Sequence, residues 1–233
     1  MTRRSFSLIL LSSLFWGYQS SHAEKIKPLE NQLAMNQPIL FTSDRSWDTV
    51  DSNGKVLGKA QYVCLNKTTP LPCPPGARIY RYPSPGGWSA NLTSIPGARW
   101  IWGPENVMHS IPAANSSFSF RKTISLPKKP VFGFIQVAAD DSATIVINGS
   151  PVGDSGSVSN IQEAASSQSI LKTYDIRPFL RAGKNEIVVR AQNGPDSFAG
   201  SSGADSWQHN PAGVVFGGWI YCGNPPANPV KRP

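Results

Sequence analysis

An all-β fold, a sandwich or barrel of short strands, is predicted by three observations. Apolar residues alternate on a two-residue period, most cleanly in Ser117–Ile124 (SFSFRKTI). The strand-like runs are separated by turns rich in glycine and proline, which number 20 and 21 among the 233 residues. No amphipathic helix of respectable length can be drawn on the chain. Nothing repeats at a fixed period, which argues against a propeller or a solenoid.

The first residues read as a processing signal. Arg3 and Arg4 give a basic start, Phe6 to Tyr18 is largely apolar, and Ser21-His22-Ala23 has the small-x-small form of a cleavage site. Residues 1–23 are therefore assigned to a cleaved signal peptide, 24–37 to an extended leader, 38–222 to one domain and 223–233 to a Pro-rich tail. No stretch offers the roughly 20 apolar residues of a spanning helix. The mature chain is expected to be secreted or periplasmic, with no membrane span, and monomeric by default.

The formal charge is +8, two units of it from the leader arginines. The remaining basic residues are scattered, and no basic stripe interleaved with aromatics appears, so nucleic acid is not an expected partner. Three cysteines occur. Cys64 and Cys73 bracket a Pro-rich loop and are the favoured disulfide, leaving Cys222 odd; pairing of Cys222 with either is the rival. Zinc is excluded by the lack of a CxxC and by only two histidines, His109 and His209, beyond the leader.

In chain order, Pro38–Thr42 is a strand and Asp51–Gly54 a dense turn signal. Lys59 to Gly87 reads as a long ordered loop. Strands follow at Ala98–Trp102 and Ser117–Ile124, then at Phe132–Val137 and Ala143–Ile147 around the acidic turn Asp140-Asp141-Ser142. Asn148-Gly149 is the strongest hairpin signal in the chain. Gly153 to Ser169 shows no periodicity. Strands are read again at Ile170–Ile176, Glu186–Ala191 and Gly213–Tyr221, the last preceded by a Gly/Ser/Asp-rich loop from Gln192 to Pro211.

The segments Ala98-Arg99-Trp100-Ile101-Trp102, Phe120-Arg121-Lys122, Ala138-Ala139-Asp140-Asp141, Asn148-Gly149, Tyr174-Asp175-Ile176 and Gly183-Lys184-Asn185-Glu186-Ile187, preceded by Trp47 and Trp88, carry a resemblance. Together they resemble galactose-binding-domain-like sandwiches, the carbohydrate-binding modules attached to α-L-rhamnosidases and β-galactosidase-type glycoside hydrolases. The resemblance implies an antiparallel jelly-roll β-sandwich of about eight to ten strands, with loops at one end that often bind sugar and, in some members, a structural calcium ion.

Sugars stack their C–H faces on exposed aromatic rings and hydrogen-bond through their hydroxyls. Trp207, with Asp205, Gln208 and Asn210 in the long loop, is the first candidate for a ligand site; Trp88, with Tyr80, Tyr82 and Arg81, is the second. Trp100, Trp102 and Trp219 lie in β-runs and are assigned to the core. Asp140 and Asp141 offer hard oxygen ligands for calcium, against the alternative that they only form a turn. No other cofactor is expected. Gly153-Asp154-Ser155-Gly156 has the spelling of a serine-protease nucleophile segment, but neither histidine lies in a matching context. No pair of acids stands out for glycoside hydrolysis. The expected function is an exported, non-catalytic binding protein for a carbohydrate or glycosylated surface. The alternatives are a secreted factor that binds a cell-surface protein, and an accessory or stand-alone hydrolase.

Overall fold

The computed structural model describes residues 37–65, 73–80, 87–104, 114–198 and 210–223. They form two packed sheets. The first runs in the order β11 (Lys172–Asp175), β8 (Phe132–Asp140), β13 (Gly213–Tyr221), β6 (Ile101–Trp102), β4 (Gln61–Leu65) and β5 (Arg78–Tyr80), with β1 (Ile39–Thr42) also on β13. The second runs β10 (Ser150–Gly156), β9 (Ser142–Ile147), β12 (Gly183–Gln192), β7 (Ser117–Leu126), β2 (Asp48–Val50) and β3 (Val56–Lys59). All pairings are antiparallel except β4 with β5. The predicted all-β sandwich is what the chain forms.

The two-residue period explains the core. β7 and β12 pair over ten residues and send Phe118, Phe120, Ile187, Val189 and Ala191 inward. Facing them are Ile135, Val137, Val214, Phe216 and Ile220 of the first sheet. Trp47 meets Phe216 edge-on with ring centres 4.7 Å apart. Each such ring or branched side chain, once fully buried, contributes on the order of 2 kcal/mol.

The run from Phe132 to Gly156 does two different things. At its far end Asn148 and Gly149, with φ of 51° and 82°, turn β9 into β10 as the sequence predicts. Asn148 also knits the neighbouring corner: its Nδ2 donates to Phe179 O and Asn185 Oδ1, and its Oδ1 accepts from Glu186 N. The acidic corner is not a hairpin. β8 belongs to the first sheet and β9 to the second, so the chain changes sheets at Asp141.

Other departures lie where period and propensity are weak. The expected loop from Lys59 to Gly87 contains β4 and β5, short strands paired in parallel, with Cys64 of β4 bonded to Cys73 ahead of β5. The stretch without periodicity holds β10 and one helix, α1 (Ile161–Ser167). Asn160 caps it, its Oδ1 accepting from the N–H groups of Gln162 and Glu163 while its amide donates to Glu163. Residues 1–36, the leader included, lie outside the described residues.

Two outcomes test this description. Gly149→Ala forces a side chain into φ +82° and is expected to cost about 1 kcal/mol in chemical denaturation. Cys73→Ser removes a link with a sequence separation of 9 and is expected to lower stability by about 2 to 3 kcal/mol by the loop-entropy relation.

Candidate functional site

The chain's change of sheet creates the site. Asp140 ends β8 and Asp141 follows it across a cis peptide bond. Both side chains are buried, and each ties down a different part of the fold. Asp140 Oδ2 accepts from the indole Nε1 of Trp88 at 2.7 Å, and its Oδ1 accepts from Gln168 Nε2 at 3.0 Å. Asp141 Oδ2 accepts from the backbone N–H of Gly194 at 2.6 Å. Behind them Ser167 Oγ lies 2.6 Å from Ala139 O, which fixes α1 on the corner. Gly156 closes the back, where a Cβ would stand 1.9 Å from Asp141 O.

Two adjacent carboxyl groups cannot both ionise cheaply in such a place. Burial pushes Asp140 well above the usual carboxylate range; the charge of Asp141 adds to the push, and the Trp88 N–H opposes it. Asp141 is raised too, chiefly by burial, with the Gly194 N–H and a hydrogen bond with Asp140 offsetting part of the shift. Both carboxyls are therefore harder to ionise here than in water.

In front of the pair is a recess of about 120 Å3 lined by Asp140, Asp141, Gln168 and Asn210 on its polar side. Ile161, Ala164, Ala165, Phe198 and Pro211 form apolar walls. The helix α1 supplies one wall through Ile161, Ala164 and Ala165, and the turn at Asp196–Phe198 supplies the other through Phe198. Asn210 is anchored by its Nδ2, which donates to Gly194 O and Asp196 Oδ1.

The residues expected to bind ligand fare differently. Asn210 does line the recess. Trp88 does not present its ring to solvent: it is fully buried and stacked on Trp100, ring centres 4.3 Å apart and planes 16° from parallel. Its indole lies under the corner, where its N–H finds the carboxylate. Tyr80 is likewise buried, edge-on to Trp88. Its phenol is shifted upward, mainly by burial, with Arg78 opposing and Asp140 adding. Both aromatics hold up the site from behind. Arg81, Tyr82, Asp205, Trp207 and Gln208 lie outside the described residues.

Among the described residues no group of three or more His, Cys, Asp or Glu gathers. Three of the oxygens of Asp140 and Asp141 accept from N–H donors. Gln168, the residue that joins the acid pair to the recess, was missed. Its only local signal is the N-x-x-E cap of the helix that carries it.

No protein-family model matches the chain, and no curated protein matches it. Its structure is similar to parts of several solved proteins. An α-L-rhamnosidase from Streptomyces avermitilis complexed with L-rhamnose matches at 22% identity and a TM-score of 0.41, over 60% of this chain and 12% of that one. A Pleurotus ostreatus lectin in complex with GalNAc matches at 23% and 0.35, over 60% and 33%. A Bacteroides uniformis β-glucuronidase matches at 18% and 0.36, over 78% and 18%. The chain thus spans well under two thirds of each neighbour.

The acid pair has a signed consequence. A carboxyl raised in the folded state withholds its proton from solution, so its full contribution is present below the ordinary value of 3.8 and is lost as pH rises through the folded value. Asp140→Asn keeps an acceptor and a donor at the corner without the charge. Its unfolding midpoint in urea is expected to fall less steeply than that of the wild type as pH is raised from about 4; equal slopes would show that the pair does not titrate this way.

Proposed function

We propose that the protein is an exported, non-catalytic carbohydrate-binding sandwich whose sugar site is the recess at the acidic corner. One observation carries this reading. The recess sets hydrogen-bonding groups of fixed orientation, Asp140, Asp141, Gln168 and Asn210, against apolar walls from Ile161, Ala164, Ala165, Phe198 and Pro211. A pyranose has the complementary surface, with hydroxyls on its rim and C–H groups on its faces. A volume of about 120 Å3 suits one sugar ring, a chain end and not a chain interior.

Export is supported by the Cys64–Cys73 disulfide, which belongs to an oxidising compartment. No helix among the described residues is long and apolar enough to cross a membrane.

Binding is favoured over hydrolysis by the carboxyl geometry. Glycosidases place two carboxyl groups roughly 5 to 9 Å apart on either side of the scissile bond. Asp140 and Asp141 are neighbours in the chain and line the same recess, so they present one face to a ligand and flank nothing.

A glycan array with the wild type and Ala165→Trp tests the reading. Ala165 is exposed on α1, and a large ring there fills the recess without touching the core. The variant should lose a terminal-sugar signal that the wild type gives, while its stability stays within about 0.5 kcal/mol. A wild type that binds no glycan, or a variant that binds as well, sinks the proposal. Turnover of aryl glycosides by the purified protein would replace it with the hydrolase reading.

A further inference from the structure

The outer face of the second sheet carries a feature that the corner recess does not use. Here β7, β12 and β9 turn their solvent-facing residues into an open groove of about 560 Å3. Strand register lays its floor out in cross-strand rows. Ser119, Arg190 and Thr144 form one row, Ser117, Gln192 and Ser142 the next, and Arg121, Val188 and Val146 the row on the other side. The turn at Asp51–Gly54 makes a wall, and Arg121 Nη1 donates to Gly54 O at 3.4 Å.

Charge on this face is unevenly settled. Asp48, opposite Arg121, is engaged by Lys59. Asp51 Oδ1 accepts from the N–H groups of Asn53 and Lys55. Asp154 accepts from Thr144 Oγ1. Glu186 lies four residues from Arg190 along β12, about 13 Å away. Arg190 itself is exposed and, among the described residues, makes no ion pair.

We infer that this groove binds a segment of an acidic, uronate-bearing polysaccharide, with Arg190 as the carboxylate receptor. A guanidinium takes a carboxylate through two parallel hydrogen bonds, which an ammonium or a hydroxyl cannot do. Ser119 and Thr144 stand directly beside it, with Ser117, Ser142 and Gln192 in the next row, and supply donors and acceptors for ring hydroxyls. Glu186 to Gln192 spans about 20 Å, so the floor accommodates consecutive sugar units where the corner recess takes one. Among the described residues no exposed aromatic ring lines the floor, since Phe118 is buried, and recognition falls to charge and hydroxyls. The net charge, +6 once Arg3 and Arg4 of the signal peptide are taken from +8, draws a polyanion toward the protein before it docks.

Affinity electrophoresis in gels containing polygalacturonate, at about 0.15 M salt, tests the inference. Neutral galactan supplies sugar hydroxyls without carboxylates, and poly-L-glutamate supplies carboxylates without sugar. The wild type should be retarded by polygalacturonate at least tenfold more strongly than by either control. Arg190→Gln, on an exposed position that leaves the core untouched, should weaken that binding about ten- to hundredfold. Ala165→Trp should leave it unchanged, which separates this groove from the corner recess whatever the recess binds. Equal retardation by poly-L-glutamate, wild-type binding by Arg190→Gln, or no retardation by polygalacturonate overturns the inference.

Discussion

The structure depends on burying two neighbouring carboxyl groups at the point where the chain leaves one sheet for the other. Asp140 and Asp141 would be costly there as separate charges. They are tolerated because their ionisation is suppressed and their oxygens accept from Trp88, Gln168 and Gly194. These donors come from the segment before β6, from the end of α1 and from the segment after β12. One polar knot therefore positions three connections that have no period or strong propensity of their own. The recess in front of the knot follows directly, because the groups that tie the connections down also form its polar lining.

Much of the sandwich was legible because it obeys local rules. β7 and β12 alternate in sequence and pair over ten residues, and Asn148-Gly149 takes the positive φ values that only such a dipeptide adopts readily. What stayed hidden lay in segments too short or too weak in propensity to announce themselves. β10, SPVGDSG, has almost no strand propensity and is a strand because β9 templates it across the turn. β2 to β5 are three to five residues long, too short for a period to show. α1 has seven residues and is announced only by its cap.

The site was half legible for a related reason. Sequence shows that Asp140 and Asp141 are adjacent, but not that a tryptophan 52 residues earlier points its N–H at them. Trp88 has the glycine neighbours of an exposed loop ring. The deciding term is the carboxylate, which gives the indole N–H a partner and lets the rest of the ring bury against Trp100. Arg190 offered no signal at all, because a strand's outward arginine is ordinary until register places hydroxyls on both sides of it. The corner recess and the sheet groove share no lining residue.

The Asn148 turn has a bearing on how the protein can be made. Asn148-Gly149-Ser150 is an acceptor sequence for N-linked glycosylation. The atom that would carry the glycan is Nδ2, which here donates to Phe179 O and Asn185 Oδ1 at 2.8 and 2.9 Å. The folded chain keeps this nitrogen for itself, whereas a glycosylating secretory pathway meets the chain before it has folded. A glycan installed there would take the place of the hydrogen bonds that join β9 to the start of β12. Production in a host without that modification preserves the corner, and Asn148→Asp, which looks like a conservative way to block the site, would give up both donated bonds.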